Sequence, residues 1–238
     1  MSLILGAPDI KGDAEIIRHL LAYLNLPFKE VLTKSYGKMS QEEGLKLGIE
    51  FPNSPYLITD KNDTITSVPA IILFVCTRAN KADLLGKSYD DIVKVRTLEG
   101  AFKDKEKTVL KMIFDKKNFS KEKLGHFVNT QMIPFYQWMD DFLGSRQWML
   151  DYITIADFHF TNLVYLINVV LFSNGLEDPV YNHKRLCLFC DRFKLLPGIK
   201  EYLKSKTSKN PIFFSNHVPF QIDESRKDVV TKERQNLF

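Results

Sequence analysis

The stretch Phe51-Pro52-Asn53-Ser54-Pro55-Tyr56-Leu57-Ile58-Thr59 limits the fold of this chain more tightly than any other segment. Proline has a fixed φ and no N–H, so Pro55 belongs in the loop entering a strand or at the strand's first position. The Ser54–Pro55 bond is a candidate for the cis form, which folded proteins confine almost entirely to X-Pro bonds. Tyr56 to Thr59 then reads as a strand. Asp60-Lys61-Asn62-Asp63 is a turn signal and Ile65-Thr66 a returning strand, so a hairpin is predicted. Beyond it, Ser67-Val68-Pro69-Ala70-Ile71-Ile72-Leu73 puts a small residue and a proline at the start of an apolar helix ending near Ala79.

The chain ahead of this stretch completes a pattern. Leu3-Ile4-Leu5 is a short buried strand closed by Gly6. Ile16, Ile17, Leu20, Leu21 and Leu24 have the spacing of one helix face, with Asp9 or Asp13 as N-cap and Pro27 as terminator. Phe28 to Leu32 reads as a second strand. Thr33 to Gly48 is polar and punctuated by glycine, which predicts loop with one helical turn. The resulting β-α-β then β-β-α order, some 80 residues long, is that of a thioredoxin-like domain. Lys81 to Gly86 reads as connecting chain, and from there helical patterning takes over. Helices are predicted at Tyr89 to Phe114, Lys121 to Phe142, Ile155 to Phe172, Lys184 to Phe193 and Ile199 to Lys204. Thr154-Ile155-Ala156-Asp157 has the form of a capping box with an acid in its third helical place. Strands and helices followed by helices alone mean two domains. The fold class is therefore α/β plus all-α: a thioredoxin-like domain at 1–82, a linker at 83–90, a helical bundle at 91–215 and a charged extension at 216–238, disordered or docked on a partner.

Composition removes several function classes. The chain has 238 residues, a net charge of +4 and interleaved Lys and Asp/Glu. Its richest basic segment, Lys103 to Lys117, also carries Asp104, Glu106 and Asp115, which suits a solvated helix face and not a nucleic-acid surface. Leu163 to Phe172 contains Asn and falls short of the ~20 residues of a membrane span, and no charged leader precedes Leu3. Neither a signal peptide nor a membrane partner is expected. Cys76, Cys187 and Cys190 suit a reducing, cytoplasmic setting. Cys187-Leu-Phe-Cys190 has no second pair and lies late in the chain, so these are expected to be apolar helix positions. His19, His126, His159, His183 and His217 have no ligand spacing, and no metal is expected.

With these residues in place, the chain resembles the cytosolic glutathione S-transferases, and the mu class most. The likeness rests on Leu3-Ile-Leu-Gly-x-x-Asp-Ile-Lys-Gly12, Leu47-Gly-Ile-Glu-Phe-Pro-Asn-Ser-Pro-Tyr-Leu-Ile58, Phe142-Leu-Gly-Ser-Arg-Gln-Trp148 with the box at Thr154 to Asp157, and Pro211-Ile-Phe-Phe-Ser215. The resemblance implies glutathione as co-substrate, held by the backbone before a cis-proline, and a tyrosine after the first strand that stabilises the thiolate. An unperturbed thiol has a pKa near ~8.5 and the thiolate is the nucleophile. One hydrogen bond to a charged group, roughly 1.5–3 kcal/mol, lowers that by about one to two units.

Here the resemblance and the residues part. Ala7 stands at the tyrosine position and Pro8 follows; neither side chain donates a hydrogen bond. Gly37, Ser40 and Gly44 occupy the places that offer Arg, Trp and Lys to the glycine carboxylate, and Ser67-Val68 replaces a Gln-Ser pair. Tyr36 or Ser2 could supply the lost hydroxyl if the register shifted. The residual glutathione contacts implied are Asn53, Ser54, Pro55, Ser67 and Asp104. Phe114, in place of a tyrosine, is expected on the hydrophobic-substrate side with Phe213 and Phe214. No catalytic residue is assigned, and glutathione binding is expected to be weak or absent. Phe51 corresponds to the aromatic that anchors a homodimer. The expectation is a non-catalytic binding or structural component. The alternatives are an active transferase with a weak or relocated thiolate donor, and a subunit of a larger assembly with a protein partner held by the C-terminal tail.

Overall fold

The computed structural model describes residues 2–33, 41–49, 51–205 and 218–222. Tyr36, Gly37, Ser40, Phe213, Phe214 and the extension from Asp223 onward lie outside the described residues. Those described fall into two compact units, one within Met1–Val95 and Arg192–Pro211, the other within Arg96–Asp191 and Ile212–Phe238.

The first unit is thioredoxin-like. Its elements run β1 (Leu3–Pro8), α1 (Ala14–Tyr23), β2 (Phe28–Thr33), α2 (Gln41–Lys46), β3 (Tyr56–Ile58), β4 (Thr64–Thr66) and α3 (Val68–Arg78). The sheet order is β2-β1-β3-β4. β1 and β2 are parallel, as a βαβ crossover requires, and β3 is antiparallel to both β1 and β4. The Ser54–Pro55 peptide is cis. Leu5, Ala7, Ile17, Leu20, Leu21, Leu57, Ile71 and Val75 are inaccessible to solvent and form this unit's core.

Three local expectations change. Gly6 does not close β1, because pairing with β2 continues through Ala7↔Leu32 to Pro8↔Thr33. Asp13 occupies the N-cap position of α1 but its φ and ψ are already helical, and its side chain makes no capping bond. The Lys81 to Gly86 connection is not slack: it contains a 3-10 turn, Ala82–Leu85, that buries Leu84 and Leu85. That apolar pair escaped notice among the polar residues around it.

The helices of the remaining chain are α4 (Tyr89–Phe114), α5 (Lys121–Phe127), α6 (Ile133–Leu143), α7 (Ile155–Ser173), α8 (Lys184–Lys194) and α9 (Ile199–Tyr202). The span expected to be one helix from Lys121 to Phe142 is interrupted by a π turn at Val128–Met132. Pro134 supplies the reason, since it has no N–H and its ring would strike the carbonyl one turn back. In the second unit, Phe102, Phe135, Phe160, Phe189 and Trp148 form a chain of tilted and edge-on ring contacts at 5.4–6.2 Å. α7 is its core helix. It is long and apolar enough to cross a membrane, but 72% of its most apolar window is buried inside the protein. Asp157 starts α7 as the box predicts, accepting the Thr154 N–H at 2.6 Å and the Met149 N–H at 2.8 Å.

Asp178 is the other buried carboxyl of this unit. Its Oδ1 accepts the Val180 N–H at 3.0 Å, while its Oδ2 and the buried Tyr136 hydroxyl make no hydrogen bond among the described residues. Nearby, Asn168 donates to the Tyr181 hydroxyl. Burial pushes the Asp178 carboxyl up to about 7, against the pull of the Val180 N–H. The unfolded chain releases this proton near ~3.9, so between those values it binds fewer protons than the native state and stability falls as pH rises. Asp178→Asn cannot ionise. Relative to it, the wild type is expected to lose up to about 1.4 kcal/mol per pH unit between pH 4 and 7, measured by thermal unfolding across that range. Parallel curves would refute the assignment.

Candidate active site

A cavity of about 240 Å³ lies in the first unit, between the β1–α1 connection (Pro8 and Ile10 to Ala14) and the segment Asn53, Ser54 and Pro55. Three of the predicted contact residues therefore meet at one place. The Asn53 side chain turns back on its own backbone, its Oδ1 accepting the Ser54 N–H at 2.9 Å. The donor that the resemblance assigns to a ligand is thus already occupied within the protein. The Ser54 hydroxyl lies 3.5 Å from that of Thr33 at the end of β2. Lys11, 4% exposed, is the cation among the lining residues.

Ala7 is the fifth residue of β1, fully buried opposite Leu32. A methyl group there offers no hydrogen bond to a sulfur. Ser2 cannot substitute, because it precedes the strand while Ala7 lies near its other end, roughly 17 Å away at strand rise. Ser67 stands at the N-cap of α3, exposed, with φ 75° and ψ 122° and no capping bond from its side chain. Holding a non-glycine residue in that region costs on the order of 1–3 kcal/mol. Ser67 does not line the cavity. Asp104 and Phe114 belong to the helical unit and are both exposed. No group of three or more His, Cys, Asp or Glu with metal-binding proximity occurs among the described residues.

Gly44 has a packing reason unrelated to ligands. It sits on α2 against Pro52, and a Cβ there would fall 2.3 Å from the proline Cγ. A long cation at this position would have to displace the ring that precedes the Asn53–Pro55 wall.

The residues that hold the cavity's other wall escaped the sequence reading. Arg18 is 0% exposed and donates to the carbonyls of Ile10 (2.8 Å), Pro8 (3.2 Å) and Lys11 (3.3 Å). Its Nε donates to Glu30 Oε1 at 2.7 Å, and Nη1 to Glu15 Oε2 at 3.3 Å. Burial works against the Arg18 charge, but Glu30 and Glu15 outweigh it and hold the pKa above its ordinary value. Tyr202 donates to the same Glu15 oxygen at 2.9 Å. Burial and the neighbouring Glu15 push the phenol upward, so it keeps its proton. Burial holds His19 below its usual value, and neutral. The periodicity gave no signal for Arg18: it lies off the face of Ile16, Ile17, Leu20, Leu21 and Leu24, on a side of α1 that is also buried.

A family model described as glutathione S-transferase, C-terminal domain, matches residues 103–206. Human Glutathione S-transferase Mu 4 is 31% identical over 212 residues, covering 86% of this chain and 92% of its own. Human Glutathione S-transferase Mu 2 is 32% identical over 222 residues, covering 90% and 96%. Glutathione S-transferase of Mesocricetus auratus is 33% identical over 218 residues, covering 86% and 92%. Among solved structures, rat hPGDS complexed with a quinoline matches with a TM-score of 0.65 and 20% identity, over 89% of this chain and 98% of the other. At that identity the likeness is one of fold.

The contact at Gly44 gives a direct test. Gly44→Lys is expected to lose about 1–3 kcal/mol through overpacking against Pro52, seen as a thermal midpoint several degrees lower. A midpoint equal to that of the wild type would show that the ring yields freely.

Proposed function

Since this chain belongs to the glutathione S-transferase family and is mu-like, we propose that it is a member whose glutathione site has lost its chemistry and that it serves as a non-catalytic binding or structural component. The observation that carries this reading is Ala7, a buried methyl group where the resemblance calls for a thiolate-stabilising hydroxyl. Pro8 beside it has no N–H, Asn53 occupies the Ser54 donor, and Gly44 leaves no room for a cation. Three or four lost polar contacts at roughly 1–3 kcal/mol each are enough to erase a micromolar affinity of about −8 kcal/mol.

A second reading, an active transferase with a relocated donor, is favoured by one feature: Lys11 and Ser54 line the same cavity. An ammonium group beside a thiol favours the thiolate by charge. Calorimetric titration with glutathione and conjugation of a standard aromatic chloride decide between the two. No heat of binding and no turnover above background are expected; turnover lost in Lys11→Ala would establish the second reading instead.

The proposal includes a cytoplasmic homodimer with two-fold symmetry. Phe51 is 77% exposed in the first unit, suited to the role of an aromatic interface anchor. Phe51→Ala is expected to weaken self-association by about 30-fold or more, the equivalent of roughly 2 kcal/mol, measured by sedimentation. A dimer of undiminished affinity would remove Phe51 from that role.

A further inference from the structure

The β1–α1 connection borders the cavity with backbone, and that backbone is fixed from behind. Three of its carbonyls, those of Pro8, Ile10 and Lys11, accept from the single guanidinium of Arg18. Arg18 is in turn oriented by Glu30 on β2 and Glu15 on its own helix. Glu15 has a further partner from far along the chain, the Tyr202 hydroxyl on α9, 187 residues away in sequence. α9 reaches α1 closely. Gly198, at φ 78°, brings the turn ahead of α9 so near the end of α1 that a Cβ would fall 2.1 Å from the Ala22 oxygen. His19 then packs edge-on against both Tyr202 and Phe193, with ring centroids at 5.2 and 5.7 Å.

We propose that Tyr202 is a positioning residue for the cavity: through Glu15 it fixes Arg18, and Arg18 fixes the carbonyls that shape the Pro8–Ala14 wall. The chain of contacts is tight at each step: Tyr202, Glu15 and Arg18 are buried, Glu30 is half-buried, and each bond lies between 2.6 and 3.3 Å. Without the hydroxyl, Glu15 keeps Arg18 as its hydrogen-bond partner but loses the contact that sets its rotamer. The three carbonyls then share a guanidinium whose Glu15 partner is no longer held in one position. A segment after α8 thereby governs a wall built before α1. The functional consequence rests on the reading that this cavity is the remnant ligand site; the positioning itself does not.

Amide hydrogen exchange of the full, ligand-free chain tests this directly. In Tyr202→Phe, which keeps the ring, peptides covering Asp9 to Ala14 are expected to exchange about tenfold faster, the loss of one charge-assisted hydrogen bond. Peptides from the β3–β4 hairpin and from α7 are expected to stay within twofold of the wild type. Glu15→Gln, which removes the charge facing Arg18, is expected to reproduce the same local pattern. Unchanged exchange at Asp9 to Ala14 overturns the proposal. So does uniform acceleration, or failure of Tyr202→Phe to fold, because either makes the hydroxyl a support of the whole unit instead of one wall. Glutathione binding is not read, so this outcome and that of the titration stand apart.

Discussion

A single buried guanidinium organises the first unit. Arg18 brings a full charge to a place without solvent, and such a charge is tolerated only when opposite charge and hydrogen-bond acceptors surround it. Here the acceptors are two carboxylates and three backbone carbonyls. A planar, forked donor set can serve that many partners at once; the point charge of a lysine cannot. The same contacts join β1, the connection after it, α1 and β2, so the sheet's parallel pair and the cavity wall share one fixing point. Removing the guanidinium would leave the buried Glu15 carboxylate and the carbonyls without their donor, beside the half-buried Glu30, an arrangement that costs roughly 3–5 kcal/mol.

How much of this the sequence revealed depends on the range of each interaction. The Thr154–Asp157 box was legible because its members are three residues apart and their bond is a property of one helical turn. The hairpin from Tyr56 to Thr66 was legible for the same reason, its turn residues lying between its strands. The π turn at Val128–Met132 was hidden, although Pro134 was in view, because a proline in a helical pattern can also end or kink the helix. The Glu15–Tyr202 bond was out of reach, since nothing local to either residue points to the other. Arg18 was out of reach for the same reason: it lies off the apolar face of α1, where a solvent-facing charge is the ordinary reading, and only tertiary contacts bury that side of the helix.

The candidate site divides along the same line. The resemblance led to Asn53, Ser54 and Pro55, and they border one cavity with the β1–α1 connection. What spacing could not show was that the Ser54 N–H is occupied by the neighbouring Asn53 amide oxygen, or that Gly44 is closed to side chains by Pro52. Gly44, which the resemblance reads as a missing contact, is in three dimensions a close approach between α2 and the loop before β3. A longer side chain at Gly44 would have to move the Pro52 ring before it could reach the cavity.

Shape and chemistry therefore depend on different atoms in this cavity. Its walls are mainly backbone and small side chains, held by buried contacts that give up free energy if any one is removed. The polar side chains that line it, Lys11, Asp13, Asn53 and Ser54, are not the ones that hold its wall from behind, which are Arg18, Glu15 and Glu30. A fold built this way can keep its cleft while the reactive groups vary. The lining has chemical character: a cation at Lys11, a carboxylate at Asp13, a hydroxyl at Ser54 and carbonyls aligned by Arg18 border about 240 Å³. One basic and one acidic side chain leave the lining without a net charge, so recognition of a small molecule there would rest on hydrogen bonds more than on charge attraction.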